Sequence, residues 1–441
     1  MSQLNPVTIN KDFGGAIGAS TLTVFLPLVV LFLYLACNDQ YIAEGVKIDA
    51  SKVAAIFKEQ VLNDWKNVFF NSECWVFYLF WFFTLVGLDI FIPGKVISGV
   101  QLRDGTKLKY TINGFQLVGF LLVVLSSRVY LYGFHLPELD FLYDNFLGMM
   151  ATSWIFSILL SFFVYFSSFL NLSGNQKNGK GTKERILSVG GNSGNFLFDW
   201  FIGRELNPRI GEWDIKLFCE LRPGLLLWSL LNLASLQRQY QRLGYVTNSM
   251  VLVNVLQFIY VIDGVLNEEG CLTMMDITTD GFGFMLAFGD LCWVPFCYCL
   301  QSRYLSLVEI NLSSIAVSIV IGVMITGFYI FKASNIQKNK FRQGKLPHLR
   351  SIQTDRGTKL LIEGWWGVSQ HINYFGDMLV ALSWCLPTGF NTILTYFYVI
   401  YFSALLLHRQ TRDEEKCKNK YGKYWTEYER HVPYKIIPYV Y

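Results

Sequence analysis

The sequence predicts an all-α fold: a polytopic transmembrane helix bundle of about ten spans. Two observations carry this. Of the 441 residues, 52% are hydrophobic and 17% aromatic, only 16% are charged, and the mean hydropathy is +0.34. Soluble domains carry about 25% charged residues, so this chain has too few charges to cover a water-facing surface. Lipid removes the conflict, because it tolerates an apolar exterior while demanding that backbone polar groups pair internally. The second observation is the repeated recurrence of uncharged apolar runs of roughly the 17–25 residues needed to cross a bilayer.

In order, the spans are expected near 14–36, 75–92, 112–131, 146–170, 225–236, 249–262, 281–300, 313–331, 375–387 and 391–407. The fifth, sixth and ninth are short by the length rule. No basic region precedes 14–36, so it reads as a retained span, not a signal peptide. Residues 1–441 are expected to form one membrane-embedded domain. The nine cysteines are scattered without a CxxC pair, which supports neither a metal site nor a disulfide framework. They read as small buried apolar residues.

Loop charges set the expected orientation. The 93–111 connection holds Lys95, Arg103, Lys107 and Lys109 against Asp104, and the 332–374 connection is strongly basic. The 131–145 connection holds Glu138, Asp140 and Asp144 with no Lys or Arg. By the positive-inside rule the basic loops and both termini face the cytosol. One connection fits badly. The 263–280 stretch should be cytosolic, yet it carries Asp263, Glu268, Glu269, Asp276 and Asp280 and no base. Acids at membrane depth usually line a cavity and are functional candidates by default. A polar Lys/Gly stretch at 175–183 suggests no function, and the sequons at Asn171 and Asn311 carry little weight.

Four stretches could carry chemistry. From Lys332 to Lys359 the chain holds eight cations (Lys332, Lys338, Lys340, Arg342, Lys345, Arg350, Arg356 and Lys359) against one acid, Asp355. Lys338 and Arg342 are spaced i, i+4, so a helix would put both on one face. Such a face suits a phosphate-rich ligand, or simply anionic lipid. The stretch GWWGVSQHINYFGD, 364–377, concentrates Trp365, Trp366, His371, Asn373 and Tyr374 before an apolar run. It could hold an aromatic ligand and its sugar, or form an interfacial aromatic belt. After the last span, His408, Arg409, Arg412, Asp413, Cys417, Lys420, Tyr421 and Tyr428 lie on successive turns, as a solvated amphipathic helix or as part of a site. Finally, GNFLFDWFIGRELNPR, 194–209, carries Asp199, Arg204, Glu205 and Arg209. Either function or an ion-pair network holding a loop on the membrane accounts for it. GGNSGN at 190–195 lacks the strand–helix context of a dinucleotide loop and is rejected as one.

The stretches GNFLFDWFIGRELNPR and LLHRQTRDEEKCKNKYG (406–422) resemble the paired signatures of the membrane sterol reductase family. That family includes sterol 14-reductases, 24(28)-reductases, 7-dehydrocholesterol reductase and the reductase-like domain of the lamin B receptor. GVQLRDGTKLKYTINGF (99–115), NEEGCLTMMDITTDGFGFMLAFGD (267–290), GWWGVSQHINYFGD and the ending YERHVPYKIIPYVY are most similar to the 14-reductase branch. The likeness runs from Leu4–Pro6 to the last residue. It implies an endoplasmic-reticulum enzyme of ergosterol biosynthesis that uses NADPH to reduce a sterol double bond, with residues 331–441 and their cytosolic loops and tail forming the cofactor pocket. Lys338 and Arg342 would contact the adenosine phosphates, and Trp366, Asn373 and Tyr374 the ribose and nicotinamide. Asp413, Cys417, Lys420, Tyr421 and Tyr428 would close over the cofactor. Tyr260 and Asp413 are the implied proton donors, with Glu268 and Asp276 in reserve. The expected partners are a sterol in the bilayer, membrane lipids and other enzymes of the pathway; neither nucleic acid nor metal is expected. Three alternatives stay open: reduction of a 24(28) or 7 double bond, a non-catalytic sterol-binding scaffold, and a transporter. The last predicts internal repeats, which are not seen.

Overall fold

The computed structural model describes residues 4–38, 50–170 and 185–441. The 175–183 stretch and the sequon at Asn171 lie outside them. The chain is helical, and its strands are confined to three two-stranded hairpins among the described residues. Among the described residues, eight helical stretches are long and apolar enough to cross a membrane: Asp12–Ala36, Trp65–Phe91, Gly114–Tyr132, Phe146–Ser167, Ile215–Leu243, Asn248–Leu266, Phe284–Leu307 and Ser314–Arg342. They correspond to the first eight expected spans. The ninth run lies in a helix of 14 residues, Ile372–Cys385, about 21 Å long at 1.5 Å per residue. The tenth is the apolar first half of Phe397–Tyr421. All cysteines except Cys271 and Cys417 are buried.

Two compact units emerge, Met1–Val246 with Gln257–Val308, and Thr247–Leu256 with Glu309–Tyr441. In the first, polar residues within the apolar helices are paired with one another. Gln257 accepts from Trp228 Nε1 at 3.0 Å and from Asn232 Nδ2 at 2.7 Å, and donates to the Tyr298 carbonyl at 3.1 Å. Side-chain hydrogen bonds of this kind hold helices together where lipid offers no hydrophobic drive.

The anomalous acidic connection is explained by two buried cations. Arg222 pairs with Asp89 at 3.2 Å, pairs with Glu268, and donates to Asn113 at 3.1 Å. Glu268 also accepts from the Gly114 amide at 2.8 Å. Lys216 is fully buried, and its ammonium donates to the carbonyls of Asp276, Ile277 and Asp280 at 2.7, 3.0 and 2.8 Å. The bases missing from the loop are supplied by residues 216 and 222. Glu268, a reserve proton donor on sequence grounds, is thus engaged in a buried ion pair.

The 194–209 signature is structural as well. Asp199 accepts from the amides of Ser193 and Gly194 at 2.8 and 2.9 Å, and Asn195 caps the helix Phe196–Ile202. This uses up the GGNSGN segment. Glu205 takes both of its bonds from Arg185, at 2.7 and 2.6 Å. Arg204 lies 4.0 Å from the Phe169 ring centroid, and Arg209 pairs with Asp214 at 2.9 Å. At Gly203 (φ +98) a Cβ would come within 2.4 Å of the Gly281–Gly283 backbone, so only glycine fits. The N-terminal Leu4–Pro6 region belongs to the same assembly: Asn5 bonds Arg185 and Leu187, and Thr8 bonds Val189 and Asn192.

In the second unit, the helices Ser314–Arg342 and Ile372–Cys385 meet at two glycines. A Cβ on Gly327 would fall 2.7 Å from the Gly376 carbonyl, and one on Gly376 would fall 2.7 Å from the Gly327 carbonyl. Small residues let helix backbones approach this closely.

Removing one partner of a buried pair costs about 3–5 kcal/mol. Arg222→Met, which leaves Asp89 and Glu268 without their counter-charge, is therefore expected to lower the thermal unfolding midpoint in detergent by several degrees. Adding Glu268→Gln should recover part of that loss. Unchanged melting of the single variant would show that the pair does not hold this region.

Candidate functional site

The cluster is built on the last two turns of Ser314–Arg342, in the second unit. Trp366 is buried, and its indole N–H donates to the Ser334 carbonyl at 2.8 Å. Gln337 accepts from the Trp365 amide at 2.9 Å. Beside it, Gly364 (φ +67) leaves space that a Cβ would lose, at 2.2 Å from the Gln337 amide. These bonds place the Lys338 ammonium 3.5 Å from the centroid of the Trp366 ring, a cation–π contact. Arg342, one turn on, is exposed.

The next layer comes from the start of Ile372–Cys385. Asn373 Nδ2 donates to Asn335 Oδ1 at 3.4 Å. The rings of His371 and Tyr374 stack at 4.8 Å and 17°. The Tyr374 hydroxyl donates to Asp413 at 3.3 Å, which joins this layer to the helix Phe397–Tyr421. Asp413 and Cys417 both lie within electrostatic reach of Lys338. Lys338, Trp366, Asn373, Tyr374, Asp413 and Cys417 are therefore gathered in one place.

The remaining tail residues divide. Tyr421 and Tyr428 pack with Cys417, Trp425, Val432 and Ile352 in an apolar cluster behind the polar layer. Tyr428 is buried, 4.8 Å from the Trp425 ring. Lys420 sits on the exposed side of the helix, 5.0 Å from the Tyr421 ring. Tyr260 belongs to the first unit, on the helix Asn248–Leu266, with its ring 6.4 Å from that of Trp228.

A family profile described as "Ergosterol biosynthesis ERG4/ERG24 family" matches residues 7–441. The chain belongs to that family. The Delta(14)-sterol reductase ERG24 of Candida albicans is 58% identical, over 100% of this chain and 99% of its own length. That of Saccharomyces cerevisiae is 53% identical over 100% of both. The Delta(14)-sterol reductase LBR of Gallus gallus is 43% identical, over 98% of this chain and 64% of its own length.

Within this ERG4/ERG24 chain, two residues outside the expected set also serve the cluster. Gln370 is buried and donates to the Val432 carbonyl at 2.9 Å. Its Oε1, like Asn373 Oδ1, is a buried acceptor with no hydrogen-bond partner among the described residues. Glu414 accepts from Lys418 at 2.5 Å, from Lys435 at 2.6 Å and from Gln410 at 2.7 Å. Burial pushes the Glu414 carboxyl up, and those hydrogen bonds outweigh it and hold it at about 2. Its sequence signal was the spacing of Gln410, Asp413, Glu414, Cys417 and Tyr421, which share one helical face. Taken together, two cations, a flat indole and two unpaired acceptors suit an anionic, aromatic ligand that offers N–H or O–H donors.

His371 is held at about 3 by burial and by the charge of Lys338, against the opposing pull of Glu414. An unfolded histidine titrates near 6.5. Between roughly pH 6.5 and 3 the unfolded chain therefore binds a proton that the folded chain does not, and stability falls as the pH drops through that window. Relative to wild type, His371→Phe is expected to show a flatter melting midpoint from pH 7 to pH 4. Parallel curves would remove His371 as the cause.

Proposed function

We propose that this chain is an NADPH-dependent reductase of the 14,15 double bond of a sterol intermediate of the 4,4-dimethyl-8,14,24-triene type, acting in the endoplasmic-reticulum membrane with both termini in the cytosol. One observation carries the cofactor half of this reading: Lys338 over Trp366, beside Tyr374 bonded to Asp413. The choice of double bond draws its support from the names of the full-length relatives.

An isolated alkene does not accept hydride until one of its carbons is made electron-poor. A proton delivered to carbon 15 leaves the positive charge on tertiary carbon 14, where a neighbouring 8,9-alkene delocalises it. NADPH, when bound, supplies the hydride that quenches this charge. The chain's own residues bind, orient and protonate. Lys338 and Arg342 offer cations to the adenosine phosphates, while Trp366, Asn373 and Tyr374 offer an indole face and hydrogen-bonding groups to the ribose and nicotinamide. The unpaired Asn373 Oδ1 fits a donor from such a ligand. Asp413 and Cys417 face the cluster from the helix Phe397–Tyr421, Lys420 offers a further cation from its exposed side, and Tyr421 and Tyr428 add an apolar backing against water.

The proton donors assigned are Tyr260 and Asp413. A donor of this kind must lie within hydrogen-bond reach of the carbon it protonates. Asp413 accepts from the Tyr374 hydroxyl at 3.3 Å, which fixes its orientation.

Two measurements test the reading. Purified protein in detergent should quench its tryptophan fluorescence on titration with NADPH, and cells lacking the protein should accumulate 14-unsaturated sterols. Accumulation of 24(28)- or 7-unsaturated sterols instead would redirect the reading to another double bond. Tyr260→Phe and Asp413→Asn should each lower kcat by about 10²–10⁴-fold with unchanged melting. Full turnover in both would discard this donor assignment.

A further inference from the structure

The segment that carries Gln370, His371, Asn373 and Tyr374 enters the helix Ile372–Cys385, and the two backbone donors just ahead of that helix go to residues 434 and 435. The Gln370 amide donates to the Tyr434 carbonyl at 2.9 Å, and the His371 amide to the Lys435 carbonyl at 2.8 Å. The Ser369 hydroxyl donates to the Ile436 carbonyl at 2.9 Å, and the Gln370 side chain to that of Val432 at 2.9 Å. Val432 and Ile436 are buried. Residues 432–436 thus lie along 369–371 as a strap, bonded through their carbonyls to two amides and two side chains.

The strap is itself fastened at two points. The Lys435 ammonium donates to Glu414 at 2.6 Å, and the Tyr441 hydroxyl to Gln410 at 3.3 Å. Its far end folds back, with the Tyr441 carbonyl accepting from the amides of Lys435 and Ile436 at 2.7 and 2.9 Å. Glu414 is the residue after Asp413 on Phe397–Tyr421. One ion pair therefore links the helix that carries Asp413 to the backbone that carries His371 and Tyr374. Glu414 is buried and Lys435 two-thirds so, with 9% and 32% of their side chains exposed. At that depth a charge pair resists salt screening far better than one at the surface.

We propose that Lys435 and Glu414 are positioning residues for the cofactor. Their ion pair pins the strap, and the strap presets Gln370, His371, Asn373 and Tyr374 against Asp413. Neither side chain touches the reacting atoms. Their effect passes through the strap's carbonyls to the 369–374 backbone, and small misplacements of binding groups are costly. The inference rests on the NADPH reading of this site.

The test uses the full-length chain in detergent with the variants Lys435→Met, Lys435→Arg and Glu414→Gln. In Lys435→Met, Glu414 keeps Lys418 and Gln410 as partners, so the fold is retained. Three readouts are taken: hydrogen exchange across 369–375 without cofactor, NADPH affinity by tryptophan fluorescence, and KM against kcat. Lys435→Met and Glu414→Gln should exchange faster across 369–375. Both should bind NADPH about tenfold more weakly and raise its KM about tenfold, with a smaller change in kcat. Lys435→Arg keeps the charge and should return affinity to within about twofold of wild type. Wild-type affinity and exchange in both charge-removing variants would overturn the proposal and leave the cofactor reading standing. Absence of NADPH binding by the wild type would overturn both.

Discussion

Every charged group that this chain takes away from water must find its partner inside the protein, because an apolar surrounding offers none. The structure is organised around that requirement. Arg222 meets Asp89 and Glu268, Lys216 meets three carbonyls, Glu205 meets Arg185, and Glu414 meets Lys418 and Lys435. The first three of these attachments join segments distant in sequence, and the last fixes the end of the chain. Sixteen per cent charge is a small allotment for 441 residues, and much of what is buried holds loops and helices together.

Lys338 meets the requirement differently. It lies against the face of Trp366 and within reach of Asp413 and Cys417, with no carboxylate bonded directly to it among the described residues. A cation so arranged keeps part of its field for something else. That distinguishes it from Arg222, whose guanidinium already faces two carboxylates. The same contrast separates Asn373 and Gln370, each with a bare acceptor, from Gln257, whose amide oxygen is used twice.

The fold class was legible from composition and run length, since both follow directly from lipid as solvent. Helix ends were less so. The fifth expected span stops just before Gln237, although that residue is buried and paired in the structure. The 194–209 signature was visible as a motif, but its role was not: Asp199, Glu205 and Arg209 spend their charges on nearby backbone and side chains, which spacing alone does not reveal. At the candidate site, residue type and i, i+4 spacing marked the stretches that hold Lys338, Trp366, Tyr374 and Asp413, and the family resemblance picked out those residues within them. The split of the tail between a polar layer and an apolar backing was hidden, because Tyr421 and Tyr428 read as polar or aromatic with equal ease. The pairing of Glu414 with Lys435 was hidden for another reason. They are 21 residues apart, and their meeting depends on Gly422 (φ +52), which breaks the helix and turns the chain back.

The contact of Gly327 with Gly376 lies about three turns along Ser314–Arg342 from Lys338, with no polar side chain of its own. Even so, it sets the gap between the helix that bears the lysine and the helix that bears the tyrosine. The arrangement works as a hinge pin does for a pair of jaws: the fit at the tips is decided at the pivot. Inheritance of a bulkier side chain at either glycine would therefore look, in an organism, like a defect of the binding groups, although every one of those groups would be intact.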